Sequence, residues 1–507
     1  MAYLYGASVQ GIQGFIFQTN KLKEIVGASE LVEQICTNEF DTFCQKKGIQ
    51  LSCDDVIIKA AGNIKYLFQS DEDCKKVVRE FPKHIANLAP GITISQAIVK
   101  YSENLPDAIN ALETKLKAQR SKVSMPVETG FMGLERDRRA GGVAVQQNVE
   151  KDEIICSATK AKIDSSKKAQ VFKSVAGEED VNLDNLPLEV EKITQSGKNS
   201  WLAIIHADGN ALGILLQTLG KKLKENKVFE DKVKTAFSTF SRSLDTATKN
   251  AAQYAFKKVV EKVWTNDKLT CYPIRPVILG GDDLTVIIRA DLALDFTIEF
   301  LKAFETQTEK QFAFLKTDYK VDGFENGITA SAGIAFIKEK YPFHYGVDLA
   351  EKLTSKAKRF SKQEKFKKNE GINIPPSSIS FYKVQSSFIE SLDDMTKKTL
   401  TADISNVSFD FGPYLIKPKD GEPNVDMLKN KLAVLEDEAK KRDKSKGISK
   451  LRQWVSELYK DKSTADFMLE RMKVVNANFY NELNLDNEKQ SDKTIIYDLI
   501  QLHTLKY

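Results

Sequence analysis

Residues 277–288 read VILGGDDLTVII. Two adjacent carboxylates, Asp282 and Asp283, follow Gly280 and Gly281 between the apolar runs Pro276–Leu279 and Leu284–Ile288. That order predicts a β-hairpin whose tip uses glycine for positive φ and for close backbone approach. Acids at a hairpin tip are ordinarily solvated turn residues. Here the flanks are almost continuously apolar, so the hairpin is expected to be central and buried, and two charges there need a counter-ion. A divalent metal ion is the natural one.

Working outward, the hairpin belongs to a pattern that occurs twice. The second copy opens with a strand at Trp201–Ala207, followed by Asp208-Gly209-Asn210-Ala211-Leu212-Gly213 and a helical stretch to about Trp264. After the hairpin come a helix over Leu292–Phe314, a strand over Gly327–Phe336 and a helix over Gly346–Arg359. This order matches an antiparallel palm sheet with helices on one face. The first copy begins at Tyr3–Ser8 and continues Val9-Gln10-Gly11-Ile12-Gln13-Gly14. Ile57–Phe68 (IIKAAGNIKYLF) aligns with Val277–Ile288, Gly91–Val99 with Gly327–Ala335, and Lys117–Arg120 with Lys356–Arg359. In this alignment Val9 stands for Asp208, Gly62 and Asn63 for Asp282 and Asp283, and Gln119 for Lys358. The charged candidates fall in one copy only. The chain therefore reads as α+β, with one catalytic and one degenerate ferredoxin-like palm packed as a pseudo-dimer.

Asp208 ends its strand, and pairing of the strands side by side brings it to Asp282 and Asp283. Three carboxylates there are expected to hold Mg2+ or Mn2+, which bridges nucleotide phosphates and makes an attacking hydroxyl acidic. Gly209, Asn210, Leu212 and Gly213 form the turn into a helix N-terminus, whose free N–H groups suit a triphosphate. Gly280 and Gly281 let a nucleotide approach the hairpin backbone. Lys358, on the last helix, is placed to meet a β- or γ-phosphate as a point charge. His206, two residues before Asp208, reads as a packed strand residue rather than a ligand. Arg136–Arg139 (RDRR) reads as a surface loop, and Lys440–Lys450 as a solvated basic loop.

With 507 residues, two to four domains are expected. No apolar run approaches the roughly 20 residues that cross a bilayer. The amino terminus lacks the pattern of a signal peptide. Six cysteines without Cys-x-x-Cys spacing point to reduced thiols and a cytoplasmic protein rather than a zinc ribbon or disulfide framework. A net charge of +5 is too slight to mark the whole surface as nucleic-acid-binding.

The motifs VQGIQGFIFQTNKLKEIVGAS at residues 9–29, HADGNALG at 206–213, LGGDDL at 279–284, the ASAGIA strand followed by Pro342, and the pair Ala357-Lys358 resemble the Cas-ten (Cmr-two) family. These are large subunits of type III CRISPR effectors, paired-palm polymerase/cyclases related to GGDEF diguanylate cyclases. The resemblance spans about residues 1–390. It implies a degenerate palm at 1–125, an inter-palm segment at 126–197, a catalytic GGDD palm at 198–390 and a helical domain at 391–507. It also implies conversion of ATP or other NTPs into a cyclic oligonucleotide messenger in antiviral defence, with a second nucleotide presented from the degenerate palm. Implied partners are RNA, CRISPR-like protein subunits or further copies of the chain, and no membrane. The family's HD nuclease and inter-palm zinc cysteines have no counterparts here, and its Asp-Gly-Asp is Asp208-Gly209-Asn210. These departures point to a minimal relative. The competing readings are a non-catalytic paired-palm RNA-binding scaffold and, less well supported, a template-directed polymerase.

Overall fold

The computed structural model describes residues 2–60, 62–101, 104–122, 132–148, 153–177, 181–195, 200–226, 228–367, 373–385, 392–419, 421–441 and 446–506. Strands β1 (Tyr3–Gln10), β2 (Val56–Ala60), β3 (Asn63–Phe68) and β4 (Thr93–Lys100) form an antiparallel sheet of order β2-β3-β1-β4. A two-stranded hairpin, β5 (Ala144–Asn148) and β6 (Glu153–Cys156), follows. The larger sheet uses β7 (Trp201–Gly209), β8 (Ile274–Gly280), β9 (Asp283–Arg289), β10 (Ala330–Lys338) and β11 (Ser378–Lys383). Two short strands, β12 (Thr401–Ala402) and β13 (Val407–Ser408), pair with each other. The last, β14 (Tyr414–Leu415), completes a six-stranded order β14-β11-β10-β7-β9-β8. Within it, β8-β9-β7-β10 repeats the order β2-β3-β1-β4.

Burial explains why β7, β9 and β10 lie in the middle. Leu202–Ile205 and Leu284–Ile288 are buried on both faces, as a central strand's near-continuous apolar run requires. Helices Ala290–Gln311 and Phe343–Ser361 pack on β7 and β10. Helix Glu230–Ala255 packs on Ala290–Gln311 and also on β2, so it ties the two sheets together. On the same seam, the Ser29 hydroxyl of helix Leu22–Cys36 donates to the Val277 carbonyl of β8.

Several sequence readings change. The strand expected from Gly327 starts at Ala330, because Gly327 sits at φ +68°, outside the extended region. The segment read as purely helical from residue 391 also supplies β14, which extends the larger sheet through β11. Its helices include Val425–Lys440, Lys446–Leu458, Lys462–Val475 and Ile496–Lys506. Residues 446–450 of the expected basic loop are therefore helical, while 442–445 lie outside the described residues. The RDRR segment is not a plain surface loop either. Asp137 is buried and accepts from the Arg139 and Cys156 N–H groups and the Thr159 hydroxyl, while Arg139 pairs with Glu24 and Glu153. An acid ringed by donors in this way holds its own proton off, down to about 2.

The internal repeat needs a one-residue correction. Strand pairing sets Ser8 against Asn63 and against Ser95. In the larger sheet, Asp208 lies against Ser331, and it falls opposite Asp283 one step past the Ala207–Leu284 pair. The left-handed residue before each following helix is Gly11 (φ +59°) in one copy and Ala211 (φ +62°) in the other. All three markers match Ser8, not Val9, with Asp208. The last helices agree: the Arg120 guanidinium donates to the Ser8 hydroxyl at 3.0 Å, as Lys358 donates to Asp208. Arg120, not Gln119, therefore stands for Lys358, and the first copy has no carboxylate at the matching positions but does have a cation. Matching Gly14 to Gly213 caused the slip, and in a strand a slip of one turns every side chain to the other face.

Candidate metal and nucleotide site

Asp208 comes from the end of β7, Asp282 from the turn between β8 and β9, and Asp283 from the first position of β9. One oxygen from each carboxylate lies within 4.8 Å of the others, and all three residues are half-buried. Gly281 takes φ +61° at the turn, a conformation cheap only for glycine. The Thr248 hydroxyl, from helix Glu230–Ala255, donates to the Gly281 carbonyl at 2.6 Å and holds the tip from behind. Nothing in the sequence marked Thr248, because its role depends on a helix distant along the chain.

Gly209 is needed for a different reason. A Cβ there would lie 2.6 Å from Asp282 Oδ2 and 2.8 Å from its Cβ. The missing side chain is what allows the hairpin acid to reach β7. Gly213 meets no such crowding and serves only as part of the helix start.

The electrostatics follow from three acids sharing one nearby cation. Lys358 donates to Asp208 Oδ2, and to the Gly209 carbonyl at 2.8 Å. Burial, then the Asp208 charge, pushes Asp282 up to about 6, and burial with both neighbouring carboxylates raises Asp283 well above the usual range. Charge that the protein itself does not neutralise is what a divalent ion supplies, and the all-oxygen donor set suits Mg2+ or Mn2+. Among the described residues this is the one group of three such side chains able to hold an ion.

The helix after β7 starts at Leu212 behind left-handed Ala211, with no side-chain cap on its N-terminus. Its first intrahelical bond runs from the Leu215 N–H to the Ala211 carbonyl at 3.0 Å. The N–H groups of Leu212, Gly213 and Ile214 precede that bond, the usual opening for an anion at a helix start.

Asn210 is placed differently from expectation. It is fully buried, its N–H goes to the Thr329 carbonyl, and its side-chain amide bonds the Thr329 and Ser331 hydroxyls. Both its polar groups are spent on bracing β7 against β10. His206 is a packed residue as expected: its Nδ1 lies 3.0 Å from the Thr285 hydroxyl, and burial lowers its proton affinity. The Thr354 hydroxyl donates to the His206 carbonyl at 2.9 Å, which anchors the last helix one turn before Lys358.

A profile of the family described as Cas10/Cmr2, second palm domain, matches residues 201–368. No curated protein matches. The fold is similar to a Csm1–Csm4 cassette in complex with cA4, at 13% identity and TM-score 0.53 over 100% of this chain and 69% of that chain. It is also similar to the cassette in complex with pppApApA, at 13% identity and TM-score 0.52 over 97% of this chain and 64% of that one. Against the cassette with pppApA, at 15% identity and TM-score 0.46, 71% of this chain is covered, and the chain spans about half (53%) of that chain's length. The resemblance read from the motifs therefore holds: this chain is similar to the Cas10/Cmr2 large-subunit family, and its residues 201–368 match that family's second palm domain.

Proposed function

We propose that the chain is a metal-dependent nucleotidyl cyclase that joins ATP or other NTPs into a cyclic oligonucleotide, in a type III CRISPR setting. The observation that carries this reading is the convergence of Asp208, Asp282 and Asp283 within 4.8 Å, beside Lys358 and an uncapped helix start. When bound, Mg2+ or Mn2+ would supply the positive charge that neutralises phosphate oxygens and makes a 3′-hydroxyl acidic. Asp208, Asp282 and Asp283 would hold it. Lys358, which borders the three acids, would meet the triphosphate as a point charge. The N–H groups of Leu212, Gly213 and Ile214 orient the phosphates, and orientation of two substrates contributes most where the nucleophile needs no separate base.

The repeated strand order supports the paired-palm reading, with the second nucleotide presented from the first sheet, where Ser8 and Arg120 stand in place of Asp208 and Lys358. The matched structures are cassettes of Csm1 with Csm4, one with cA4, and we read this chain as likewise taking a protein partner and making a cyclic adenylate-type product.

The test is mass spectrometry of products from an equimolar NTP mixture with Mg2+, with and without added RNA. A cyclic product is expected from the native chain, and none from an Asp282→Ala/Asp283→Ala variant. Product that persists in the double variant overturns the assignment.

A further inference from the structure

The two sheets share their strand order as far as β4 and β10, and there they part. The outer edge of β10 carries β11 in parallel, from Ser331 against Ser378 to Phe336 against Lys383. Among the described residues, no strand pairs with the outer edge of β4. Eight of the nine residues of β10 are buried, whereas β4 is half-buried along its length and Ile98 is 39% exposed. An edge of eight residues left open is a template for another strand.

What lies beside that edge is also matched in the second sheet. A cavity of about 440 Å³ is walled by Val78, by Ala97 and Ile98 of β4, and by Lys115, Ala118 and Gln119 of helix Leu105–Arg120. In the larger sheet the corresponding helix, Phe343–Ser361, packs on β11, and its Ala357 carbonyl accepts from the Ser378 hydroxyl. With Arg120 matched to Lys358, Ala357 corresponds to Gln119. The same helix face thus touches a strand in one half and a cavity in the other.

We infer that the β4 edge is the docking site for an extended segment of a partner protein, which adds to the first sheet as a parallel strand where β11 adds to the second. Backbone hydrogen bonds supply its affinity and alternate side chains its selectivity. The register of β11 places an apolar residue opposite Ile98, as Phe381 lies opposite Ile334. The rim is basic: Lys100 is exposed at the strand end, Lys122 lies at the cavity mouth, and the Lys115 amine sits 2.9 Å from the Ile98 carbonyl. The segment therefore carries acidic residues at its flanks. This rests on strand topology and stands independently of the cyclase reading.

The probe is a synthetic peptide of residues 377–384 with glutamate added at each end, mixed with the full chain. Saturable binding is expected, and among residues 94–99 the amides that do not bond β1 should exchange at least tenfold more slowly only when peptide is present. Ile98→Asp and Lys115→Glu should each weaken binding at least tenfold, and a thermal melt of each variant checks that it is folded. Lys115 is a surface residue, so that variant reads the site even if Ile98→Asp unfolds. Three results overturn the proposal. One is slow exchange, in the free chain at every concentration, of the β4 amides that do not bond β1, which means the chain covers its own edge. The second is protection that rises with chain concentration alongside a dimer mass, which means a second copy does. The third is absence of saturable binding, or binding that survives both variants.

Discussion

A methyl group at position 209 has nowhere to go, since its carbon would lie 2.6 Å from the Asp282 carboxylate. Gly209→Ala must push the hairpin acid away from β7, and displacement of about 1 Å at a reacting centre costs on the order of 100-fold in rate. Cyclic product formation should fall by about that factor, while the thermal melt reports an overpacking cost of about 1–3 kcal/mol. The acids themselves make a second prediction. Asp282 and Asp283 are raised in the folded chain, Asp282 to about 6. An unfolded Asp titrates near about 4. Between those values the folded, metal-free chain holds a proton on Asp282 that the unfolded chain has released, so Asp282 adds stability as pH falls through about 6, and Asp283, raised as well, acts in the same direction. That is the reverse of an ordinary ion-paired aspartate. In chelator, Asp283→Asn should melt higher than the native chain at pH 7.5, and the gap should shrink by pH 5. Mg2+ binding, read calorimetrically on the native chain, should weaken over the same descent, because the ion competes with those protons.

At the scale of elements, the hairpin and its two flanking strands were legible from residues 277–288 alone, because a glycine turn between apolar runs has one good reading. The helix ends and strand starts were less so. β10 begins three residues late because Gly327 is left-handed, and no pattern of hydrophobicity reports φ. The hairpin's support was not legible at all. Thr248 is buried in the middle of a 26-residue helix and bonds both the Leu244 and Gly281 carbonyls. Thr248→Val keeps the shape and removes the donor, so stability should drop by about 1–2 kcal/mol in urea denaturation. The turn it holds should loosen as well, which lowers turnover while leaving Mg2+ binding within about threefold.

At the scale of the molecule, the two halves meet across charged groups taken out of water. Arg275 of β8 is fully buried, its Nε and Nη1 have no hydrogen-bond partner among the described residues, and burial lowers it to about 10. Glu30, on helix Leu22–Cys36 of the first half, supplies the opposing charge while accepting from the Gln170 and Val171 N–H groups. Removing one member of such a pair leaves a buried charge uncompensated, and Glu30→Gln should cost about 3–5 kcal/mol. The double variant Glu30→Gln/Arg275→Met should recover most of that loss, because replacing both partners removes the desolvation cost with the attraction. A double-mutant cycle by denaturation measures it; an additive pair would show that Glu30 does not serve Arg275.

By itself the sequence determined that residues 277–288 form a hairpin and that this hairpin carries two acids. It also determined that the same succession of elements occurs twice. Periodicity and glycine placement act locally, so they can be read along the chain. The tertiary structure alone decided the registers. It moved the counterpart of Asp208 from Val9 to Ser8 and that of Lys358 from Gln119 to Arg120, and it spent Asn210 on bracing β7 to β10. Among the described residues it also left β4 open where β10 is covered. Strand pairing is a contact between residues far apart in the chain, and a shift of one residue costs nothing in local propensity while reversing every side chain.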